Sequence, residues 1–233
     1  MSASPIAFAL DYASVDEARG AAQLVAPAVG MIKVGLELFV GAGPAVVGLG
    51  KDVGLPVFLD LKLHDIPETV ERAVAQASRL GARLVTVHAS GGRAMLKRAV
   101  TRAASEGGTL AICAVTILTS LDAGDVSDIG MSGDPSSAAV RLARLAFDEG
   151  VRWFVCSPAE VRALRGALGK DAILVTPGVR PAGGATGDQK RVATPEQAIA
   201  DGADWVVVGR PIRDAADPLA AARAIAEAIQ GAP

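Results

Sequence analysis

The sequence predicts an α/β protein folded as a single (β/α)₈ TIM barrel, and three observations point to it. Eight short β-branched or apolar runs recur along 233 residues, Ala-rich amphipathic segments lie between them, and charged residues gather where the runs end. An open doubly wound sheet more often carries fewer strands per domain, so eight units favour closure. The length suits one barrel domain, 1–233, and no linker or low-complexity segment divides it.

Taken in order, PIAFALD (5–11) ends at Asp11 and leads to SVDEARGAAQLVA, a helix opening at a Ser cap. MIKVGLE (31–37) carries Lys33 within it. PVFLDLK (56–62) ends in Asp60 and Lys62 and is followed by the helical PETVERAVAQASRL. LVTVHAS (84–90) brings His88 and Ser90 to its end, and LAICAVTI (110–117) leads to Thr119 and Ser120. Those two open an irregular Gly, Asp and Pro-rich stretch, LTSLDAGDVSDIGMSGDP (118–135), before the helical SSAAVRLARLAFDEG. WFVCS (153–157) precedes PAEVRALRGALG, and ILVTPGV (173–179) places Pro177, Gly178 and Arg180 at a strand end. RPAGGATGDQKR (180–191) then has the composition of a mobile lid, and TPEQAIADG follows as a helix. WVVVGR (205–210) closes on Gly209 and Arg210 ahead of DPLAAARAIAEAI. In a barrel all these strand ends line one mouth, which is where catalytic residues sit.

Composition narrows the function. With 23 Lys+Arg against 25 Asp+Glu the formal charge is −2, so no global basic excess is present to bind nucleic acid, although a small anion needs only a local site. The N-terminal MSASPIAFALDYAS lacks a basic segment before its short apolar run, which argues against a secretory signal. No apolar run approaches the ~18 residues of a membrane span. Cys113 and Cys156 sit inside apolar runs and read as buried structural thiols. A cytoplasmic, disulfide-free protein is the expectation.

The densest chemistry lies in FLDLKLHDIPETV (58–70). Side chains alternate along a strand, so Asp60 and Lys62 share a face, and Lys33 on the neighbouring strand can reach the same pocket. Opposite charges in a low dielectric then hold each lysine at a fixed position and charge. The bland alternative is a buried ion-pair network that sets barrel register and does no chemistry, but such networks are a poor source of net stability. His64 reads as structural and His88 as a supporting residue. Asp60 and Asp65 could hold a hard cation, yet the ammonium of Lys62 between them competes for the carboxylates, and no His/Cys cluster or EF-hand spacing is present, so no metal is expected. In the eighth unit, WVVVGRPIRDAADP, backbone N–H groups near Gly209 and the Arg210 guanidinium precede a helix start, an arrangement by which barrels bind phosphate. The alternative there is a turn glycine beside a solvated charge.

Across almost the whole chain, ALDYAS, IKVGLELF, FLDLKLHDIPETV, VHASGG, VTILTS, VTPGVRP, DQKRVATP and VVVGRPI together resemble the orotidine 5′-phosphate decarboxylase family, in its bacterial form. The resemblance implies decarboxylation of orotidine 5′-phosphate to UMP and CO₂, the last step of UMP biosynthesis, without a cofactor. It implies that Lys62 stabilises carbanion character at pyrimidine C6 and protonates it, with Asp60 near the departing carboxylate. Lys33 and Asp65 would complete the array, Asp65 by entering the partner's site in a homodimer. Substrate binding would fall to Asp11 and Lys33 at the ribose, Thr119 and Ser120 toward the base, and Pro177 flanking the pyrimidine, with Thr69 a further substrate-binding residue. Gln189, Gly209 and Arg210 would hold the phosphate, with Arg180 at the start of the closing loop. Glu68 departs from the small polar residue common in the family. Two competing readings are a related barrel acting on a sugar phosphate with Mg²⁺, against which LTS and PGVR argue, and a nucleotide-binding barrel without turnover, against which the charged array argues.

Overall fold

A computed structural model describes residues 4–181 and 193–231. Each of the eight apolar runs contains a strand: β1 (Ile6–Ala9), β2 (Met31–Val34), β3 (Val57–Leu63), β4 (Leu84–His88), β5 (Ala111–Val115), β6 (Trp153–Val155), β7 (Ile173–Thr176) and β8 (Trp205–Val208). Neighbours in sequence pair in parallel, and β8 returns to β1 through Ala7 opposite Val207, which closes the barrel. The helices between them are α1 (Val15–Val25), α2 (Leu36–Ala42), α3 (Leu49–Val53), α4 (Pro67–Arg79), α5 (Gly92–Ser105), α6 (Ala123–Asp128), α7 (Pro135–Asp148), α8 (Val161–Leu168), α9 (Pro195–Ala200), α10 (Arg210–Arg213) and α11 (Pro218–Gln230).

The strands are buried on both faces, which is why they read as continuous apolar runs. Alternate residues separate into two cores. Ala7, Met31, Phe58, Leu84, Cys113, Trp153, Val175 and Val207 form an inner cluster within the barrel. Ile6, Phe8, Ile32, Val57, Leu59, Val85 and Phe154 join a larger cluster that includes the helix residues Ala18, Val74, Leu96 and Leu164. Short polar side chains start several helices by accepting backbone N–H groups that have no partner within the helix. Ser14 accepts from Glu17 for α1, Asp134 from Ser136 and Ser137 for α7, Thr194 from Gln197 for α9, and Asp217 from Ala220 for α11.

The ladders stop before the apolar runs do. In MIKVGLE, pairing ends at Val34, Gly35 is the N-cap of α2, and Leu36 and Glu37 are already helical. The stretch expected to be irregular at 118–135 contains α6, started by a reciprocal cap in which Asp122 accepts from the Asp125 N–H and Asp125 accepts from the Asp122 N–H. Residues 182–191 of the second irregular stretch lie outside the described residues; its first residue, Arg180, is bound through its backbone to the Ala193 carbonyl at 2.9 Å. Cys113 and Cys156 are free and fully buried. Burial pushes both thiols up, that of Cys156 to about 12, so neither supplies a thiolate near neutral pH. Among the described residues, no helix is long and apolar enough to cross a membrane.

Candidate active site

Charged side chains stand at the C-terminal ends of β2 and β3 and just past β1, directly above the apolar inner cluster. Asp60 is the hub. Its carboxylate lies 2.9 Å from the Lys62 Nζ on one oxygen and 3.7 Å from the Lys33 Nζ on the other. Lys33 in turn reaches Asp11 at 3.3 Å, beyond the end of β1. Lys33 is buried while Asp11 is half exposed, so the chain of charges runs from the barrel interior to the rim.

Burial by itself would push the Asp60 carboxyl up. The ammonium groups of Lys33 and Lys62, with hydrogen bonds from Lys62 and Thr86, outweigh it and hold the carboxyl below its ordinary value. Asp60 is therefore ionised at neutral pH. Burial holds the His88 imidazole below its ordinary value, with His64 and Lys62 adding to the effect against an opposing pull from Asp60. The His64 and His88 rings lie 5.3 Å apart.

The backbone of β3 departs from a regular strand at this point. Pairing with β4 runs from Leu59 opposite Val85 to Leu63 opposite Val87 through a register shift. Among the described residues, Lys62 is the one non-glycine with positive φ, at 53°. A left-handed conformation costs a non-glycine residue about 1–2 kcal/mol, so surrounding contacts have to hold it. Asp60 and Lys62 reach one pocket as the two-residue spacing predicts, but the strand is bulged where simple alternation takes it as regular.

A cavity of about 160 Å³ opens over the array. Lys33, Asp60, Lys62, Thr119 and Pro177 supply polar groups and one side wall, while Phe58, Val115, Val155 and Val207 form apolar surface from the barrel interior. This is the composition of a small-ligand site, largely apolar with a few convergent charges. Gly209 completes the neighbourhood from β8, since a Cβ there would stand 3.4 Å from Ala9 and 3.5 Å from the Asp11 carboxylate. Arg210 follows as the first residue of α10. Gly35 matters for space too: a Cβ at that position would stand 3.0 Å from the Lys33 Nζ and 3.4 Å from Asp11.

Other expected residues stand apart from the cavity within one chain. Asp65 is exposed, and its carboxylate accepts the N–H of Ile66 at 2.6 Å. Thr69, on the first turn of α4, and Ser120, in the turn after β5, are exposed and do not line it. Arg180 is buried, with its guanidinium donating to the Val179 carbonyl at 2.8 Å. Glu68 points along its helix and pairs with Arg72 one turn on. Gln189 lies outside the described residues. Among the described residues, no group of three or more His, Cys, Asp or Glu is placed to hold a metal ion.

Two contributors escaped sequence reasoning. Thr86 hydrogen-bonds both Asp60 and the Lys62 backbone; it is two residues before His88 on the same strand face, so the period of two could have found it. Arg213 donates to the Asp11 carbonyl at 3.1 Å and pairs with Asp214, a tie across 202 residues that no local pattern announces.

A closed eight-stranded parallel barrel with a lysine and aspartate array at its C-terminal mouth defines an enzyme of the barrel class that works on small ligands. Within that class the chain belongs to the orotidine 5′-phosphate decarboxylase / HUMPS family, whose model matches residues 4–225. It is 56% identical over 224 residues to an orotidine 5′-phosphate decarboxylase of Anaeromyxobacter sp. (strain K), an alignment covering 96% of this chain and 97% of that protein. A protein of the same name from Frankia casuarinae is 47% identical over 247 residues, covering 98% of this chain and 89% of its own. The crystal structure of orotidine 5′-phosphate decarboxylase from Lactobacillus acidophilus matches with a TM-score of 0.85 at 35% identity, over 97% of this chain and 99% of that one.

Proposed function

We propose that this chain converts orotidine 5′-phosphate to UMP and CO₂, the last step of UMP biosynthesis, with no cofactor. The observation that carries the reading is the Lys33, Asp60, Lys62 array on the wall of a cavity also lined by Thr119 and Pro177. In the proposed reaction the bond from C6 to the carboxylate breaks, its electron pair stays on C6, and CO₂ leaves. The Lys62 ammonium faces that developing charge in a site shielded from water, where a fixed charge is most effective. Lys62 then gives a proton to C6 and regains one from solvent. Asp60, held by two lysines and Thr86, fixes where the Lys62 ammonium stands. It lies near the substrate carboxylate as well, and repulsion there would be its second contribution.

In the same reading Asp11 and Lys33 take the ribose hydroxyls, Thr119 and Ser120 lie toward the base, Pro177 packs against the pyrimidine, and Thr69 is a further substrate contact. Gln189, Gly209 and Arg210 hold the phosphate, with Arg180 near the start of the closing loop. Binding energy from that remote group is then spent in aligning C6 under Lys62.

The active form in this proposal is a homodimer in which Asp65 enters the partner's site. Asp65 is exposed and outside its own chain's cavity, and large apolar side chains stand open after β2 and β3: Leu36 at 50%, Val40 at 78% and Ile66 at 66% exposure. Surface of this kind favours association. The balanced charge supports a small-molecule ligand over nucleic acid, and two free, buried cysteines suit the cytoplasm as the site of action.

The test is a spectrophotometric assay of orotidine 5′-phosphate with no added metal and with EDTA present. Turnover to UMP that survives the chelator is the expected result. Turnover confined to a sugar phosphate and dependent on Mg²⁺ would replace this reading with that of the related sugar-phosphate barrels.

A further inference from the structure

Thr86 is fully buried on the inner face of β4, yet its hydroxyl does two jobs at once. The oxygen accepts the backbone N–H of Lys62 at 2.7 Å, and the O–H donates to the Asp60 carboxylate at 3.1 Å. Those two partners are the strained residue of β3 and the hub of the charged array. In a regular strand the alternation of β3, where the Pro56 carbonyl faces β2 and the Val57 carbonyl faces β4, would turn the Lys62 N–H toward β2; across the register shift between Leu59 and Leu63 it meets β4 instead, where the Thr86 hydroxyl accepts it. One side chain thus caps the bulge, holds Lys62 in its left-handed conformation, and ties that conformation to the carboxylate that receives the Lys62 ammonium.

We propose that Thr86 is a positioning residue for the decarboxylation: it locks the Lys62 backbone and the Asp60 carboxylate into one rigid unit, so that the ammonium is held still while charge develops on the substrate. Thr86 itself touches no reacting atom. The inference rests on the function proposed above, because it gives Lys62 the central role. A threonine kept only for packing would need no hydroxyl there, since a valine has the same shape and avoids burying a polar group. The hydroxyl is not idle: both its donor and its acceptor capacity are used within the site.

Two variants separate the hydroxyl from the packing. Thr86→Val keeps the shape and loses both bonds; we expect kcat for orotidine 5′-phosphate to fall about 10–100-fold while KM changes less than about threefold, the pattern of a displaced catalytic group. Thr86→Ser keeps the hydroxyl and should recover most of that loss. A pH profile adds a readout that packing does not move. The charged and titratable groups around Asp60 are Lys33 from β2, Lys62 from β3, and Cys113 from β5, with His88 further along β4 and Asp11 beyond Lys33. With these unchanged, removing the Thr86 donor should raise the pH at which activity falls on the acid side. The serine variant should leave that limb in place.

Amide hydrogen exchange on the unaltered protein tests the same bond without depending on activity or on the folding of a variant. The Lys62 amide should be protected, because its acceptor is buried. A Lys62 amide exchanging at the rate of an open chain would overturn the proposal, as would Thr86→Val with the unaltered kcat and acid limb. These results are distinct from failure of the decarboxylase reading itself, which would appear as an unaltered protein inactive on orotidine 5′-phosphate while its Lys62 amide remains protected.

Discussion

Asp60 carries a charge that its burial opposes, and the geometry shows what overcomes the opposition: an ammonium on either side and a hydroxyl from β4. Because the folded carboxyl is held below its unfolded value, its contribution to stability is present above the ordinary carboxylate range and is lost as pH falls through the lowered value. Acid therefore weakens this part of the site. The same crowding gives a prediction one strand away. Gly35 has an ordinary φ of −94°, so alanine is conformationally acceptable there, but its Cβ would meet the Lys33 Nζ at 3.0 Å. Gly35→Ala should leave the fold intact and lower kcat/KM for orotidine 5′-phosphate by up to roughly tenfold, as a displacement of a few tenths of an ångström in a catalytic array warrants. Steady-state kinetics alongside a thermal melt checks both halves. At this scale the spacing of Asp60 and Lys62 and the nearness of Lys33 were legible from strand periodicity. The positive φ of Lys62 was not, because a bulge depends on what the neighbouring strand offers, and that partner, Thr86, is 24 positions away in sequence.

Among the elements, β3 and β8 bring different chemistry to the same rim. The third strand ends in a bulge that presents an ammonium; the eighth ends in Gly209 and then α10, whose first residue is Arg210. If Arg210 holds the substrate phosphate, Arg210→Ala should reduce kcat/KM by about 10–100-fold, the usual worth of one hydrogen bond to a charged group. The effect should shrink for a substrate analogue that lacks the phosphate, which a parallel assay on the nucleoside would reveal. Strand positions were readable because a parallel sheet buried on both faces demands apolar runs. Strand ends were not: Leu36 looks like a continuation of β2, but Gly35 turns the chain into α2. The helix α6 was hidden in a Gly and Asp-rich stretch because six residues are too few for a periodic pattern, and its clearest sign is the Asp122 and Asp125 cap.

For the whole molecule, closure of β8 on β1 is what turns residues as distant as Asp11, Lys62 and Gly209 into one site. In the proposed homodimer, where Asp65, exposed in its own chain, enters the partner's site, one chain is not the complete enzyme. Mixing Asp65→Ala subunits with Lys62→Ala subunits should restore part of the activity that each lacks alone, since one of the two sites in a mixed dimer would then hold both residues unaltered. Inactive mixtures would place Asp65 and Lys62 in the same chain's site. The central claim, that Lys62 does the chemistry at C6, is tested most directly by measuring turnover and UMP binding on Lys62→Ala. Losing both an electrostatic stabiliser and a proton donor should lower kcat by at least about 10⁴-fold, with UMP still bound through its phosphate and ribose. A Lys62→Ala protein that decarboxylates orotidine 5′-phosphate at near the unaltered rate would contradict the account.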